Sequence, residues 1–126
     1  MPKPQSKKLD IKGDNRGGFI EIFKIPGKGQ VNYSTTKPGV TRGNHYHKRK
    51  KEYFCVIKGE AKIRLRNRDT GEIQEFNVSG QKPETVEIPI NWTHNIANIG
   101  DEQMELLIWV NEIFDPEDPD TFYEEV

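Results

Sequence analysis

The sequence has little cysteine, no long apolar run and no excess of either charge. Its single cysteine, Cys55, cannot form a disulfide within the chain, which is typical of a protein from a reducing cytoplasm. Because Cys55 lies in the apolar segment EYFCVI, we expect its thiol to be buried and unreactive.

Membrane and nucleic-acid binding are not expected. No stretch approaches the roughly 20 consecutive apolar residues of a membrane span, and the N-terminal MPKPQSKK has basic residues with no apolar run behind it. The 19 Lys and Arg residues nearly balance the 20 Asp and Glu residues, whereas binders of nucleic acid or membrane surfaces usually have a basic excess. The composition therefore favours a cytoplasmic protein without either partner.

Helical periodicity is also lacking. Short apolar or alternating segments are separated by Gly, Pro, Asn and Asp, which predicts about eight to ten strands and no helix beyond one short C-terminal turn. Strands are expected over 19–25, 30–36, 52–57, 60–68, 72–78, 85–90 and 104–114. We predict an all-β jelly-roll barrel, with residues 1–8 as a flexible tail and 9–126 as a single domain.

All three histidines fall in two short stretches, residues 39–59 and 89–98. In an extended strand His45 and His47 project to the same side. The following KRKK is too charged for a core and is predicted to be a solvated turn, after which EYFCVI returns antiparallel with Glu52 beside the histidine pair.

A distant strand carrying His94 would complete a set of three imidazoles and one carboxylate. Such a set suits a divalent transition metal, zinc, iron, manganese or nickel, with positions left open for water or substrate. The alternative is a metal-free site in which the same residues are bases or satisfied polar groups.

The first stretch resembles the first motif of the cupin superfamily, Gly-x5-His-x-His-x4-Glu-x6-Gly, at every position. The second, PINWTHNIAN, resembles the second cupin motif, Pro-x-Gly-x-x-His-x3-Asn, with Asn91 in place of the glycine. Asparagine tolerates the left-handed backbone better than most residues. The resemblance implies the cupin fold, a double-stranded β-helix, with a metal on His45, His47, Glu52 and His94.

A second resemblance concerns the substrate. The segment DNRGGFIE and the segment TRGNHYH are similar to motifs of nucleotide-sugar epimerases of the dTDP-4-dehydrorhamnose 3,5-epimerase type. In that family the matching arginines contact phosphates and the matching histidine is the base. The resemblance implies Arg16 and Arg42 as phosphate ligands and His45 as base or metal ligand, since guanidinium groups suit a pyrophosphate.

Two other residues are predicted to contact substrate. Glu21 belongs to the first of these motifs, and Arg64 lies on the charged face of the alternating segment EAKIRLRNR. A solvated strand face is the alternative for Arg64.

A third resemblance is carried by three phrases, KPGVTRGNHYHK, PINWTHNIANIGD and the ending NEIFDPEDPDTFYEEV. Through them, roughly residues 10–126 resemble the C-terminal cupin domain of capsular-polysaccharide enzymes that epimerise and reduce UDP-2-acetamido-2,6-dideoxy-hexos-4-ulose. The resemblance implies a metal-assisted epimerase, usually with zinc, acting on carbon 3 of a UDP- or dTDP-linked 4-keto-6-deoxy sugar. It also implies a homodimer, with the LLIWV strand at the interface and Arg16 serving the partner's site. The sequence has no Gly-x-Gly-x-x-Gly strand–helix unit, so a separate NADPH-dependent reductase is expected.

The base and the exact reaction stay open at the level of sequence. If the metal occupies both His45 and His47, the base is a tyrosine such as Tyr33, a carboxylate or a metal-bound hydroxide. The alternative functions are a nucleotide-sugar 3,4-ketoisomerase, a metal-dependent oxygenase of the cupin class and a non-catalytic sugar-binding cupin.

Overall fold

The computed structural model describes residues 3–126, which form eleven β-strands and no helix. The strands are β1 (Lys12–Asp14), β2 (Gly17–Ile25), β3 (Gly29–Thr36), β4 (Thr41–Tyr46), β5 (Glu52–Lys58), β6 (Glu60–Asn67), β7 (Ile73–Ser79), β8 (Thr85–Ile88), β9 (Trp92–Asn98), β10 (Met104–Val110) and β11 (Phe122–Tyr123). The all-β prediction is confirmed, with one strand more than expected. Over the same residues, no helix has the length and apolarity of a membrane span.

The N-terminal segment has no regular secondary structure before β1, and residues 3–11 are exposed. Met1 and Pro2 of the predicted tail lie outside the described residues. The division into a tail over 1–8 and a domain over 9–126 therefore stays a prediction.

Two antiparallel sheets form the barrel. One has the strand order β1-β2-β3-β10-β5-β8 and the other β11-β4-β9-β6-β7. Alternation places one face of each strand inside: Ala61, Ile63 and Leu65 of β6 are buried, whereas Arg64 between them faces outward. The jelly-roll prediction is confirmed, and its core lies between the two sheets.

The segment that follows the first histidine pair differs from the prediction. Instead of returning beside β4 as a hairpin, β5 pairs with β10 and β8 in the other sheet, and residues 47–51 cross from one sheet to the other. Glu52 still faces inward together with Phe54 and Val56. The barrel therefore receives His45 and Glu52 from opposite walls.

One prediction about burial and one strand boundary are corrected. Cys55 is only partly buried, because Phe54 and Val56 occupy the inner face of β5 and the thiol lies on the outer face. The strand expected over 104–114 ends at Val110. Its outer residue Leu107, in the segment predicted to lie at a dimer interface, is 37% exposed.

The core predicts a large difference between two isoleucines on paired strands. Ile63→Ala removes a side chain that is 1% exposed, and should lower the free energy of unfolding by about 2–5 kcal/mol through lost burial and a cavity. Ile73→Ala is the control, since Ile73 is 50% exposed, and should cost less than about 1 kcal/mol. Urea unfolding followed by fluorescence measures both; equal losses would contradict the core described here.

Candidate metal centre and substrate cavity

The structure brings the four predicted ligands together inside the barrel. His45 on β4 lies opposite His94 on β9, Glu52 begins β5 in the other sheet, and His47 lies in the connection between β4 and β5. One ligand atom from each residue lies within 4.8 Å of those of the other three. The four side chains form what we call the His/Glu cluster.

Local backbone geometry sets the histidine positions. The pairing of β4 with β9 shifts register between Gly43 and His45, where Gly43 and Asn44 have φ angles of 96° and 58°. A Cβ on Gly43 would lie 3.0 Å from the carbonyl oxygen of His94, a tight contact, and a side chain would also be strained at this positive φ angle, so glycine is favoured here. Asn91, which replaces the motif glycine before β9, has φ 63°, as its predicted tolerance of the left-handed region requires.

Two main-chain carbonyls fix the orientation of two rings. His47 Nδ1 lies 2.7 Å from the carbonyl oxygen of Asp120, and His94 Nδ1 lies 3.1 Å from that of Trp92. A carbonyl only accepts, so each Nδ1 carries the hydrogen and donates it. In the neutral rings, each Nε2 then presents a lone pair to the cluster.

These lone pairs face a carboxylate oxygen. Glu52 Oε1 lies 3.0 Å from His47 Nε2 and 3.4 Å from His94 Nε2, and the latter nitrogen is buried without a hydrogen-bond partner among the residues that the structure describes. Protonation of His47 at Nε2 would turn its contact with Glu52 into a hydrogen bond. His94 Nε2 would still face the carboxylate with no hydrogen between them. A divalent cation would satisfy both nitrogens and the carboxylate at once, so the donor set fits a metal.

Two of the protonation states suit a metal. Burial, then the charges of His94 and His47, lowers the pKa of His45 to about 3. Burial would raise the pKa of Glu52, but the neighbouring imidazoles of His47 and His94 outweigh it and lower that pKa. At neutral pH His45 is thus neutral, and Glu52 is ionised. Burial opposes the charged form of His47, yet the hydrogen bond and charge of Glu52 raise its pKa, so a metal would have to displace that proton.

The cluster forms part of the wall of a cavity of about 350 Å³. Apolar side chains, including Phe54, Ile96 and Leu106, form much of the remaining wall. Polar groups enter from β3, where Gln30, Asn32 and Ser34 face inward. The buried Ser34 hydroxyl has no hydrogen-bond partner within residues 3–126. An apolar cavity with a few directed polar groups is the usual form of a small-molecule site.

Predicted substrate ligands also line this cavity. Arg42 donates to Thr36 Oγ1 at 3.0 Å and to the Thr35 carbonyl at 2.9 Å, and among residues 3–126 no carboxylate pairs with it. Burial, then the charge of Arg16, lowers its pKa, but a guanidinium remains charged at neutral pH. Arg16 lines the cavity too and pairs with Asp14 at 2.6 Å. Two neighbouring guanidinium groups form a site suited to an anion.

Glu21 lies in the cavity wall as well. It accepts a hydrogen bond from Gln30 Nε2 at 2.9 Å and pairs with Lys12 at 3.0 Å. Its carboxylate is therefore held in place beside the inward face of β3.

Two predicted site residues lie elsewhere. Tyr33 alternates with the inward-facing Asn32 and Ser34, so it points to the outer face of β3 and donates to Glu105. That hydrogen bond, followed by burial, raises the Tyr33 pKa to about 12. The same alternation places Arg64 outside, where its Nε lies 3.1 Å from Glu75. The structure corrects both predictions: neither side chain lines the cavity.

One cavity residue was missed within KRKK. Arg49 and Lys51 pair with exposed or half-buried carboxylates, as a solvated turn would, but Lys50 is 6% exposed and lines the cavity. Its Nζ lies 5.2 Å from the centre of the Phe114 ring, and no carboxylate among residues 3–126 pairs with it. The sequence held one indication of this position. Lys50 is two residues before Glu52 and four before Phe54, so along an extended chain all three side chains point to the same, inward side.

The cations have different neighbours in the cavity wall. Arg42 is bound at Thr35 and Thr36, whereas Gln30 near the other end of β3 accepts a hydrogen bond from the backbone of Phe114, over whose ring Lys50 lies. Six residues of strand correspond to about 20 Å. The arginines and Lys50 can therefore contact separate parts of one extended ligand.

Residues 12–122 match the family described as the polysaccharide biosynthesis C-terminal domain. UDP-2-acetamido-2,6-beta-L-arabino-hexul-4-ose reductase of Pseudomonas aeruginosa is 46% identical over 90% of this chain and 31% of its own length. The probable low-salt glycan biosynthesis epimerase Agl13 of Haloferax volcanii is 28% identical over 89% of this chain and 80% of its own length.

Solved structures of related proteins also resemble this chain. The capsular polysaccharide assembling protein CapF of Staphylococcus aureus is 49% identical with a TM-score of 0.92, over 96% of this chain and 35% of CapF. The chain thus spans about a third of the length of the Pseudomonas and Staphylococcus proteins. Oxalate decarboxylase of Lactobacillus farciminis, 26% identical with a TM-score of 0.71 over 85% of this chain and 32% of that enzyme, shares the predicted cupin fold. This chain is a cupin that belongs to the polysaccharide biosynthesis C-terminal domain family.

Proposed function

We propose that this domain is a metal-assisted epimerase acting on carbon 3 of a UDP- or dTDP-linked 4-keto-6-deoxy sugar in surface polysaccharide biosynthesis. The observation that carries the proposal is one cavity with a His/Glu cluster in its wall and two arginines at the end of β3 marked by Thr36. The names of the Pseudomonas and Haloferax relatives, a UDP-sugar reductase and a glycan biosynthesis epimerase, support the substrate class.

His45, His47, Glu52 and His94 would hold the metal, with zinc the first choice for three nitrogens and one oxygen and iron, manganese or nickel as alternatives. A divalent ion there would act as a Lewis acid that stabilises negative charge on the sugar's keto oxygen. The lowered pKa of His45 supports its role as ligand, because a group with a pKa of about 3 is a weak base at neutral pH.

The substrate would lie along the cavity. Its pyrophosphate contacts Arg16 and Arg42, and its sugar extends toward the cluster, where the ring packs against Phe54 and Ile96. Glu21 accepts a hydrogen bond from a sugar hydroxyl. Lys50, which pairs with no carboxylate in the described part of the chain, faces the negative charge that develops when the proton on carbon 3 is removed.

The proposal includes two partners. A second copy of the chain would cover the outer face of the six-stranded sheet, where Phe23 and Leu107 are partly exposed and Tyr53 packs against Trp109. A separate NADPH-dependent reductase would consume the epimerised keto sugar in the cytoplasm.

Removal of the carboxylate ligand should release the metal. In Glu52→Ala the two Nε2 atoms lose their shared anionic neighbour, and metal affinity should fall by at least about 100-fold. Glu75→Ala, an exposed outer-face carboxylate, is the control and should bind as the wild type does. Elemental analysis and chelator competition measure both, with circular dichroism as the check on folding. Unchanged metal content in Glu52→Ala would remove the site.

The reaction itself is tested by proton NMR in deuterated water. A UDP-linked 4-keto-6-deoxy-hexosamine should lose its carbon-3 proton signal in the presence of the protein, because the adjacent keto group acidifies that proton, and chelation of the metal should stop the loss. Exchange that continues after chelation would contradict metal assistance. The absence of exchange in the metal-loaded protein would contradict the epimerase assignment for this substrate.

The phosphate site predicts a contrast between two arginines. Arg42→Ala should weaken binding of the nucleotide sugar by roughly 10- to 100-fold, since it removes charge-assisted hydrogen bonds to phosphate. Arg64→Ala removes a guanidinium from outside the barrel and should change the affinity little. Isothermal titration calorimetry decides between them, and equal affinities of the two variants would refute the role of Arg42.

A further inference from the structure

Asp120 is a buried acidic residue in the C-terminal segment between β10 and β11. It is 4% exposed and has a φ angle of 49°, in the left-handed region that residues other than glycine rarely adopt. Such a conformation is maintained only where surrounding contacts stabilise it. Asp120 makes these contacts with a single loop, the connection between β4 and β5.

The side chain of Asp120 binds the backbone of that loop. Its Oδ1 accepts from the N–H of Lys48 at 3.1 Å, and its Oδ2 accepts from the N–H groups of Arg49 and Lys50 at 2.8 and 2.9 Å. Burial would raise the Asp120 pKa, but these three bonds outweigh it and lower that pKa. One carboxylate thus satisfies three successive donors where the chain crosses between sheets and no strand partner is available.

The main chain of Asp120 binds His47, the predicted metal ligand at the start of this loop. Its carbonyl oxygen accepts from His47 Nδ1 at 2.7 Å, which directs Nε2 toward Glu52. The carboxylate and the carbonyl of one residue therefore act together. The first fixes the loop backbone, and the second fixes the tautomer and rotation of the His47 ring.

We infer that Asp120 is the positioning residue of the metal centre: it holds His47 with Nε2 facing the cluster and keeps Lys50 in the cavity wall, without contacting the metal or the substrate. The inference rests on the metal centre in the proposed function. Partners that orient a metal-bound histidine typically change metal affinity by about 10- to 100-fold when they are lost.

A merely structural role for Asp120 predicts something different. If Asp120 only stabilised the fold, its substitution would lower the free energy of unfolding, while the folded protein kept its metal affinity and the tautomer of His47. The neighbouring Asp118 is the control, because it lies on the same segment, is exposed and pairs with Arg49 at 3.2 Å without touching His47.

Two substitutions isolate the carboxylate. Asp120→Gly removes it while tolerating the positive φ angle, and Asp120→Asn keeps one acceptor oxygen at a residue type that also tolerates this conformation. Chelator competition should give zinc affinities about 10- to 100-fold lower for Asp120→Gly, intermediate for Asp120→Asn and unchanged for Asp118→Asn. Near-UV circular dichroism confirms that each variant is folded.

A second readout does not depend on bound metal. Long-range proton–nitrogen NMR on the metal-free protein, at a pH above the raised pKa of His47, should show the Nδ1–H tautomer in the wild type and in Asp118→Asn. Asp120→Gly keeps the carbonyl but loses the carboxylate that anchors the Asp120 segment to the loop, so the carbonyl is no longer held against His47 Nδ1. The signal should then shift toward a mixture of tautomers, with a smaller shift in Asp120→Asn. A wild-type tautomer in folded Asp120→Gly would overturn the inference. So would a wild-type zinc affinity in that variant.

The two measurements separate this inference from the proposed function. Failure of the wild type to bind zinc, iron, manganese or nickel would remove the metal centre and with it the role of Asp120. Zinc binding that is equal in wild type and Asp120→Gly would leave the metal centre standing and refute Asp120 alone.

Discussion

Two imidazole lone pairs directed at one carboxylate oxygen form the interaction on which this site depends. His47 and His94 each donate Nδ1–H to a main-chain carbonyl, so in the neutral rings both Nε2 atoms present lone pairs, not hydrogens, to Glu52. Buried acceptors that face one another are costly unless a cation or a proton lies between them. The barrel contributes to this arrangement from both walls, because Glu52 and His94 lie in different sheets. A metal would therefore also link the two sheets.

The positions of two cations in the cavity also favour the binding of an anion. Arg42 is held by neutral oxygens, and Lys50 has an aromatic ring as its neighbour, so neither cation is neutralised by a carboxylate among residues 3–126. Unpaired cations that are partly or fully buried are unfavourable in the empty cavity and favourable when an anion binds. The cavity is therefore suited to an anionic ligand.

Much of the fold and the cluster could be predicted from the sequence because both depend on local rules. Period-two alternation predicts the inward faces of β5 and β6, and the spacing of His45 and His47 places both on one side of the chain. Local rules could not predict that β5 joins the opposite sheet, since strand pairing is decided by contacts far apart in sequence. Tyr33 and Arg64 were predicted wrongly because each was chosen for the chemistry of its side chain. Each alternates with inward-facing neighbours on its strand, so its side chain points outward. Asp120 gave no sequence signal, because its role depends on an irregular segment meeting a loop about 70 residues earlier.

A metal held by the His/Glu cluster is the central claim. Anomalous X-ray diffraction from crystals of the protein grown without added chelator tests for this metal most directly. Data collected on both sides of the zinc absorption edge, and of the iron, manganese and nickel edges, should give one strong anomalous peak between His45, His47, Glu52 and His94. A density map without such a peak in a crystal soaked with each of these metals would contradict the account.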